Sequence, residues 1–221
     1  MNGTSLTKSH RLLGGFLCCT LLAGWCSSRA FGTDPAHRTS IVQTSRWWVL
    51  TCSDTKALPC VLTVRLRGRI DRSRLALVKE ALRRRNHAQS ALGRRIELRI
   101  DADTHGGEVF AAMEIGRVLR RDSASIHVAP HAECSSACIY VLMGATTRTV
   151  ARTARVGIHR PSLGDARGDA LVESMRAQIV LYAQQMNVPS RIVDDIMAIP
   201  SSRLRYLTPA DLADWVVLTA N

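Results

Sequence analysis

From Val61 to about residue 145 the chain alternates short apolar runs with longer stretches of helical periodicity, and no other property narrows the fold so far. Val61-Leu62-Thr63-Val64-Arg65-Leu66 reads as a strand closed by Gly68. Asp71 or Ser73 then caps a helix with Leu75, Val78 and Leu82 on one face and Arg83, Arg84 and Arg85 on the other. Residues 86–93 read as a loop. Ile96 to Asp101 alternates apolar and polar residues as a strand does, Val109, Met113, Val118 and Leu119 follow a helical spacing, and Ser125 to Ala129 is a further strand. Stacked βαβ units around a mainly parallel sheet satisfy this order, so the fold class is α/β. Sites in such folds gather at the C-terminal ends of strands.

The flanks are less regular. Arg46 to Thr51 looks like a strand and Cys52 to Cys60, with Asp54 and Pro59, like a stapled loop. Val150 to Arg155 is basic and weakly strand-like, and Val156-Gly157-Ile158-His159 is a short strand ending in a histidine. A glycine-rich loop, Gly164 to Gly168, precedes a helix to about Met186, and Ser190 begins another through Met197. Thr208-Pro209-Ala210-Asp211 opens a capped short helix, and Trp215 to Leu218 reads as a last strand.

Lys8 and Arg11 precede an apolar run from Leu12 to Cys26, and Ser28-Arg29-Ala30 offers small residues where a signal peptidase reads. Residues 1–30 are therefore expected to be a signal peptide, 31–45 a flexible leader and 46–221 one domain, placing the protein in the periplasm or outside the cell. The apolar run is short for a spanning helix, so a membrane span is expected only if the signal stays uncleaved. Without residues 1–30 the formal charge falls by three from +12 to +9. Its arginines are spread along the chain and no nucleic-acid motif accompanies them, so no nucleic-acid partner is expected.

Of seven cysteines, Cys18, Cys19 and Cys26 lie in the signal. Cys52, Cys60, Cys134 and Cys138 remain, an even number in an export-directed chain and the mark of two disulfides. Proximity pairs Cys52 with Cys60 and Cys134 with Cys138, and positions i and i+4 of a helix lie within a disulfide's reach, about 6 Å. The other two connectivities stay open. If the second pair is reduced, His127, His131, Cys134 and Cys138 offer ligand types that zinc accepts. The export signal favours the disulfide, so no metal and no cofactor are expected.

Three signals carry chemistry. Gly106-Gly107, between a strand and a helix, presents N–H groups to an anion. Ser135 or Ser136 stands where the next helix begins, among free N–H groups that favour an oxyanion, although a serine there also serves as a plain N-cap. His159 closes a third strand and suits a general base.

These segments resemble the ClpP/crotonase-like superfamily, particularly exported relatives of the Clp protease proteolytic subunit, over about residues 60–218. Ile100 to Val109 is similar to that family's strand, glycine pair and helix; Cys134-Ser135-Ser136-Ala137-Cys138 to its nucleophile turn; Val156 to Pro161 to the strand carrying its histidine; Tyr206-Leu207-Thr208-Pro209 to its closing segment. The resemblance implies ClpP/crotonase-like stacked βαβ units, Ser136 as nucleophile, His159 as general base, the N–H groups of Gly107 and Ala137 as the oxyanion hole, a peptide or protein substrate, and a homo-oligomer. It fails at one point. Where the family carries its aspartate this chain has Arg203-Leu204-Arg205. Asp194, Asp195, Asp165 or a backbone carbonyl is left to orient His159, and the alternative is a non-catalytic binding or assembly protein that has lost the acid. A Ser–Lys dyad is excluded, since no lysine follows Lys79.

Overall fold

A computed structural model of the protein describes residues 39–162, 168–215 and 218–220. The expected signal peptide, most of the leader and Asp165 lie outside the described residues. Among the described residues, ten strands and six helices follow in the order β1 (Thr39–Thr44), β2 (Trp48–Ser53), β3 (Cys60–Arg67), α1 (Arg72–Leu92), β4 (Ile96–Asp103), α2 (Val109–Arg121), β5 (Ser125–Val128), β6 (Glu133–Ser135), α3 (Cys138–Gly144), β7 (Thr147–Ala151), β8 (Arg155–Ile158), α4 (Gly168–Gln185), α5 (Arg191–Ala198), β9 (Arg205–Tyr206), α6 (Pro209–Asp214) and β10 (Leu218–Ala220).

Seven strands form the main sheet in the order β1-β2-β3-β4-β5-β7-β10. From β3 to β10 the pairs are parallel, with Cys60 opposite Ile96 and Arg67 opposite Asp103 along the longest ladder; β1 and β2 add an antiparallel edge. The parallel strands carry buried residues such as Leu62, Val64, Ile100 and Ile126, as expected of a sheet covered by its crossover helices. A second, three-stranded sheet, β6-β8-β9, stands apart. It is the one that holds the candidate site.

Several boundaries differ from the sequence reading; the last strand, for one, is Leu218–Ala220, and Trp215 is the C-cap of α6 rather than a strand residue. Residues 86–93 are not a loop: α1 runs to Leu92 and ends with Gly93 in the left-handed conformation at φ 58°. Ala88 is buried and the Gln89 side chain accepts the Ile96 N–H at 3.0 Å, so this polar stretch packs as helix. Within the expected leader, Thr39–Thr44 is a strand whose side chains are all exposed. Its backbone pairing with β2 needs no apolar alternation, which is why the pattern hid it. Asp71 caps α1 by accepting from the N–H groups of Ser73 and Arg74, and Thr208 with Asp211 forms a reciprocal cap on α6. Among the described residues no helix is long and apolar enough to cross a membrane.

Candidate active site

The chain leaves the main sheet at the end of β4. Thr104 N–H donates to Glu133 O at 2.7 Å and Ser135 N–H to Thr104 O at 3.1 Å, which docks β6 on that end. β6 runs parallel to β8 with Ser135 opposite Gly157, and Ser136 N–H donates to Gly157 O at 2.9 Å. Having paired, the strand turns sharply. Ser136 adopts φ 55°, a left-handed conformation that costs a residue with a side chain about 1–2 kcal/mol.

The two serines part here. Ser135 is fully buried and its hydroxyl donates to Glu133 Oε1 at 2.6 Å. Ser136 is half-buried at the edge of an open cavity. Neither caps a helix: α3 starts at Cys138, its N-cap is Ala137, and no side chain bonds its first turn. The capping role that serines favour is thus unused.

Gly106 approaches this turn, and Gly107 the backbone of Ile70, as only glycines can. A Cβ on Gly106 (φ 97°) would stand 2.6 Å from Ser135 O, 2.7 Å from Ala137 N and 2.7 Å from Ser136 Cβ; one on Gly107 (φ 152°) would meet Ile70 O at 2.1 Å. The loop is held from both sides. Ile70 N–H donates to Gly106 O and Glu108 N–H to Ile70 O, each at 2.8 Å, while the Thr104 hydroxyl accepts the Gly106 N–H at 3.1 Å. Among the described hydrogen bonds, neither the Gly107 nor the Ala137 N–H donates to any group. Ala137 is buried, and a buried N–H without a partner is rare.

A cavity of about 410 Å³ is lined by Gly68, Arg69, His105, Gly106, Gly107 and Ser136. His159 follows β8, two residues beyond the Gly157 that accepts from Ser136, and is not part of that lining. Its Nδ1 lies 2.8 Å from Arg160 O; with the proton on Nδ1, that carbonyl leaves Nε2 as the acceptor. Among the described hydrogen bonds none joins Ser136 to His159. The candidate acids are engaged elsewhere: Asp194 pairs with Arg176, and Asp195 accepts from the Trp215 indole at 3.3 Å. Arg205, opposite Ile158, instead pairs with Asp211 at 3.4 Å.

Sequence reasoning missed Glu133 and His105. Glu133 accepts from Ser135, from Arg155 and, at 3.4 Å, from the Tyr206 hydroxyl, and His105 Nδ1 stands 3.2 Å from its Oε1. Burial opposes its charge, but the hydrogen bonds from Ser135, His105 and Arg155 outweigh it and hold the carboxyl below the usual range. His105 sat within the Ile100 to Val109 stretch singled out in the sequence, and Glu133 directly before the one that starts at Cys134. The missing signal was β6, since two residues apart on a strand put Glu133 and Ser135 on one face.

The sulfurs of Cys134 and Cys138 stand 2.01 Å apart and bracket the serine turn; those of Cys52 and Cys60, also at 2.01 Å, join β2 to β3. With Cys134 and Cys138 bonded to each other, no thiolate remains for the zinc reading. Among the described residues no group of histidine, cysteine and carboxylate side chains is placed to hold a metal.

No protein-family model matches the chain, and no curated protein matches its sequence. Solved structures do. The 1510-N membrane-bound stomatin-specific protease, in complex with a substrate peptide, is 24% identical, with 72% of this chain and 74% of that one covered at a TM-score of 0.56. ClpP1 from Listeria monocytogenes is 18% identical over 72% of this chain and 91% of that one, at 0.55. The 1510-N protease from Pyrococcus horikoshii, specific for a stomatin homolog, is 20% identical over 72% of both chains, at 0.51. At such identities the likeness speaks for architecture, and the parallel βαβ sheet with its small second sheet is the ClpP-like fold.

Proposed function

We propose that this chain is an exported serine peptidase-like hydrolase with Ser136 as nucleophile. The observation that carries the reading is the turn itself: a half-exposed serine in a left-handed conformation, with the N–H groups of Gly107 and Ala137 nearby, neither of which donates in any described hydrogen bond. Strained backbone of this kind clusters at active sites. The fold is shared with structures described as proteases, one of them holding a substrate peptide, which supports a peptide or protein substrate here.

In this reading Ser136 attacks a carbonyl whose oxygen takes its place between the two N–H groups, each such donor contributing about 3–4 kcal/mol in the transition state. α3 is a short helix, so the stabilisation comes from the two bonds rather than from a dipole. His159 Nε2 takes the serine proton and returns it to the leaving group, with the Arg160 carbonyl fixing the tautomer that an aspartate fixes in a full triad. A carbonyl lacks the full charge that steadies an imidazolium, and turnover is correspondingly slow. Residues 1–30, read as a signal peptide, and the two disulfides together support export. Self-association is part of the reading, supported by Leu171 and Leu181, exposed apolar residues of α4. The second reading, a binding protein without turnover, is favoured by the absence of a described hydrogen bond between Ser136 and His159, although catalytic contacts often tighten only with substrate bound.

Labelling of the oxidised protein with a fluorophosphonate probe tests the proposal. Wild type takes the label, S136A does not, and H159A takes it at least about 10²-fold more slowly. A folded, oxidised wild type that stays unlabelled, or an S136A variant that labels as well as wild type, moves the assignment to the binding role.

A further inference from the structure

The imidazole that lines the cavity in front of Ser136 is His105, not His159. Its side chain is 85% exposed to solvent, whereas its partner Glu133 is 6% exposed. With Nδ1–H directed at Glu133 Oε1, 3.2 Å away, the Nε2 of a neutral His105 is an unprotonated acceptor. Glu133 is anchored in turn by the Ser135 hydroxyl at 2.6 Å, by Arg155 and by Tyr206, so the carboxylate is fixed while the ring is open to water. Where no acid among the described residues bonds His159, the cavity at Ser136 thus has an imidazole–carboxylate pair of its own.

We propose that His105, oriented by Glu133, is a second proton-transfer residue of this site: the base that activates the water releasing the acyl group from Ser136. The proposal rests on the serine-hydrolase reading above. An acyl group held with its oxygen on the Gly107 and Ala137 N–H groups occupies the cavity that His105 lines, and the water that attacks it arrives from the solvent side. As the water oxygen bonds to the acyl carbon, one of its protons passes to His105 Nε2. The ester bond to Ser136 Oγ then breaks, its electron pair stays on the oxygen, and His105 gives that proton to it. Carboxylic acid leaves, and both Ser136 and His105 regain their starting states. Glu133 acts as a positioning residue, setting the tautomer and balancing the imidazolium in transit.

The test follows p-nitrophenyl acetate hydrolysis by rapid mixing in wild type, H105A, H105Q and S136A; His105 is exposed, so its variants retain the fold. H105A and H105Q keep a burst of nitrophenolate and a wild-type rate of fluorophosphonate labelling. Their steady-state turnover falls about 10²-fold, and acetyl-Ser136 accumulates in the intact mass. The deacylation rate of wild type carries a pH-dependent limb that both variants lack. The charged and titratable groups around the pair, Glu133, Asp103, Arg69, Arg155 and Tyr206, are unchanged in them. An intact burst followed by wild-type turnover in H105A overturns this inference alone. Absence of a burst in wild type, or ester turnover in S136A equal to wild type, overturns the serine-hydrolase reading and this one with it.

Discussion

At the position of Gly106 one hydrogen atom decides whether the site exists. A methyl group there meets Ser135 O, Ala137 N and Ser136 Cβ, all backbone or first side-chain atoms that have no rotamer to escape into, and φ 97° is itself unfavourable for alanine. G106A is expected to destabilise the protein by about 1–3 kcal/mol and to abolish fluorophosphonate labelling even in the folded fraction, because the loop backs away from the serine turn. Thermal melts and labelling at a temperature well below the variant's midpoint check both parts; normal labelling would show that the Gly107 N–H needs no such approach. The glycine pair was legible in the sequence, and so were the candidates Ser135 and Ser136. The resemblance singled out Ser136, but the physical reason that separates the serines was not legible, because it lies in Ser135 Oγ bonding to Glu133, a contact made by a three-residue strand with no apolar pattern to announce it.

The element that presents the turn is α3, and it is held at both ends. At its start Cys138 is bonded to Cys134 across the turn. At its end the buried Arg148 donates to Leu142 O at 2.9 Å and Met143 O at 2.8 Å, with Arg120 adding a bond to Met143 O at 3.1 Å. Burial, helped by the neighbouring Arg120, lowers Arg148 to about 10, still charged at neutral pH and so still suited to the negative end of a helix. R148M leaves Leu142 O without its charged donor and Met143 O with Arg120 alone, and is expected to cost about 2–3 kcal/mol, or roughly 4–12 °C in melting temperature for a domain of this size. Since the disulfide pins the other end of α3, the folded variant should label at Ser136 within about 3-fold of wild type. A larger loss would mean that the arginines, not the disulfide, position the oxyanion hole. The composition flagged the arginine excess as a question of partners. In the fold much of it serves as internal hydrogen bonding: Arg94, too, donates to Ser53 O, Thr55 O and Leu58 O and fastens the loop that the first disulfide closes. Long-range contacts of this kind leave no periodicity, whereas the βαβ alternation does, and that is why a mainly parallel sheet was readable and the role of these arginines was not.

At the scale of the whole molecule, stability and chemistry are divided between two sheets, and each sheet carries one disulfide. Cys52–Cys60 ties β2 to β3 in the main sheet, on strands that contribute no residue to the candidate site. Cys134–Cys138 starts in the small sheet and closes around Ser136. Cross-links over such short loops stabilise by about 2–3 kcal/mol in the chain-entropy account, so the two should weigh nearly alike on the fold. Their effects on the site should differ. The C52S/C60S double variant is expected to melt about 4–12 °C lower than wild type and to label at Ser136 at an unchanged rate. The C134S/C138S variant should melt lower by a similar amount, but it also frees Ser136 to relax from its left-handed conformation. Relief of about 1–2 kcal/mol of backbone strain leaves the poised turn about 5- to 30-fold less populated, and labelling should slow by that factor even under conditions where the variant is fully folded. If both pairs of serines slow labelling equally, the turn owes its shape to the fold as a whole. If only the second does, the disulfide beside the nucleophile is what keeps the serine poised, and a reducing environment lowers the activity of a protein that remains folded.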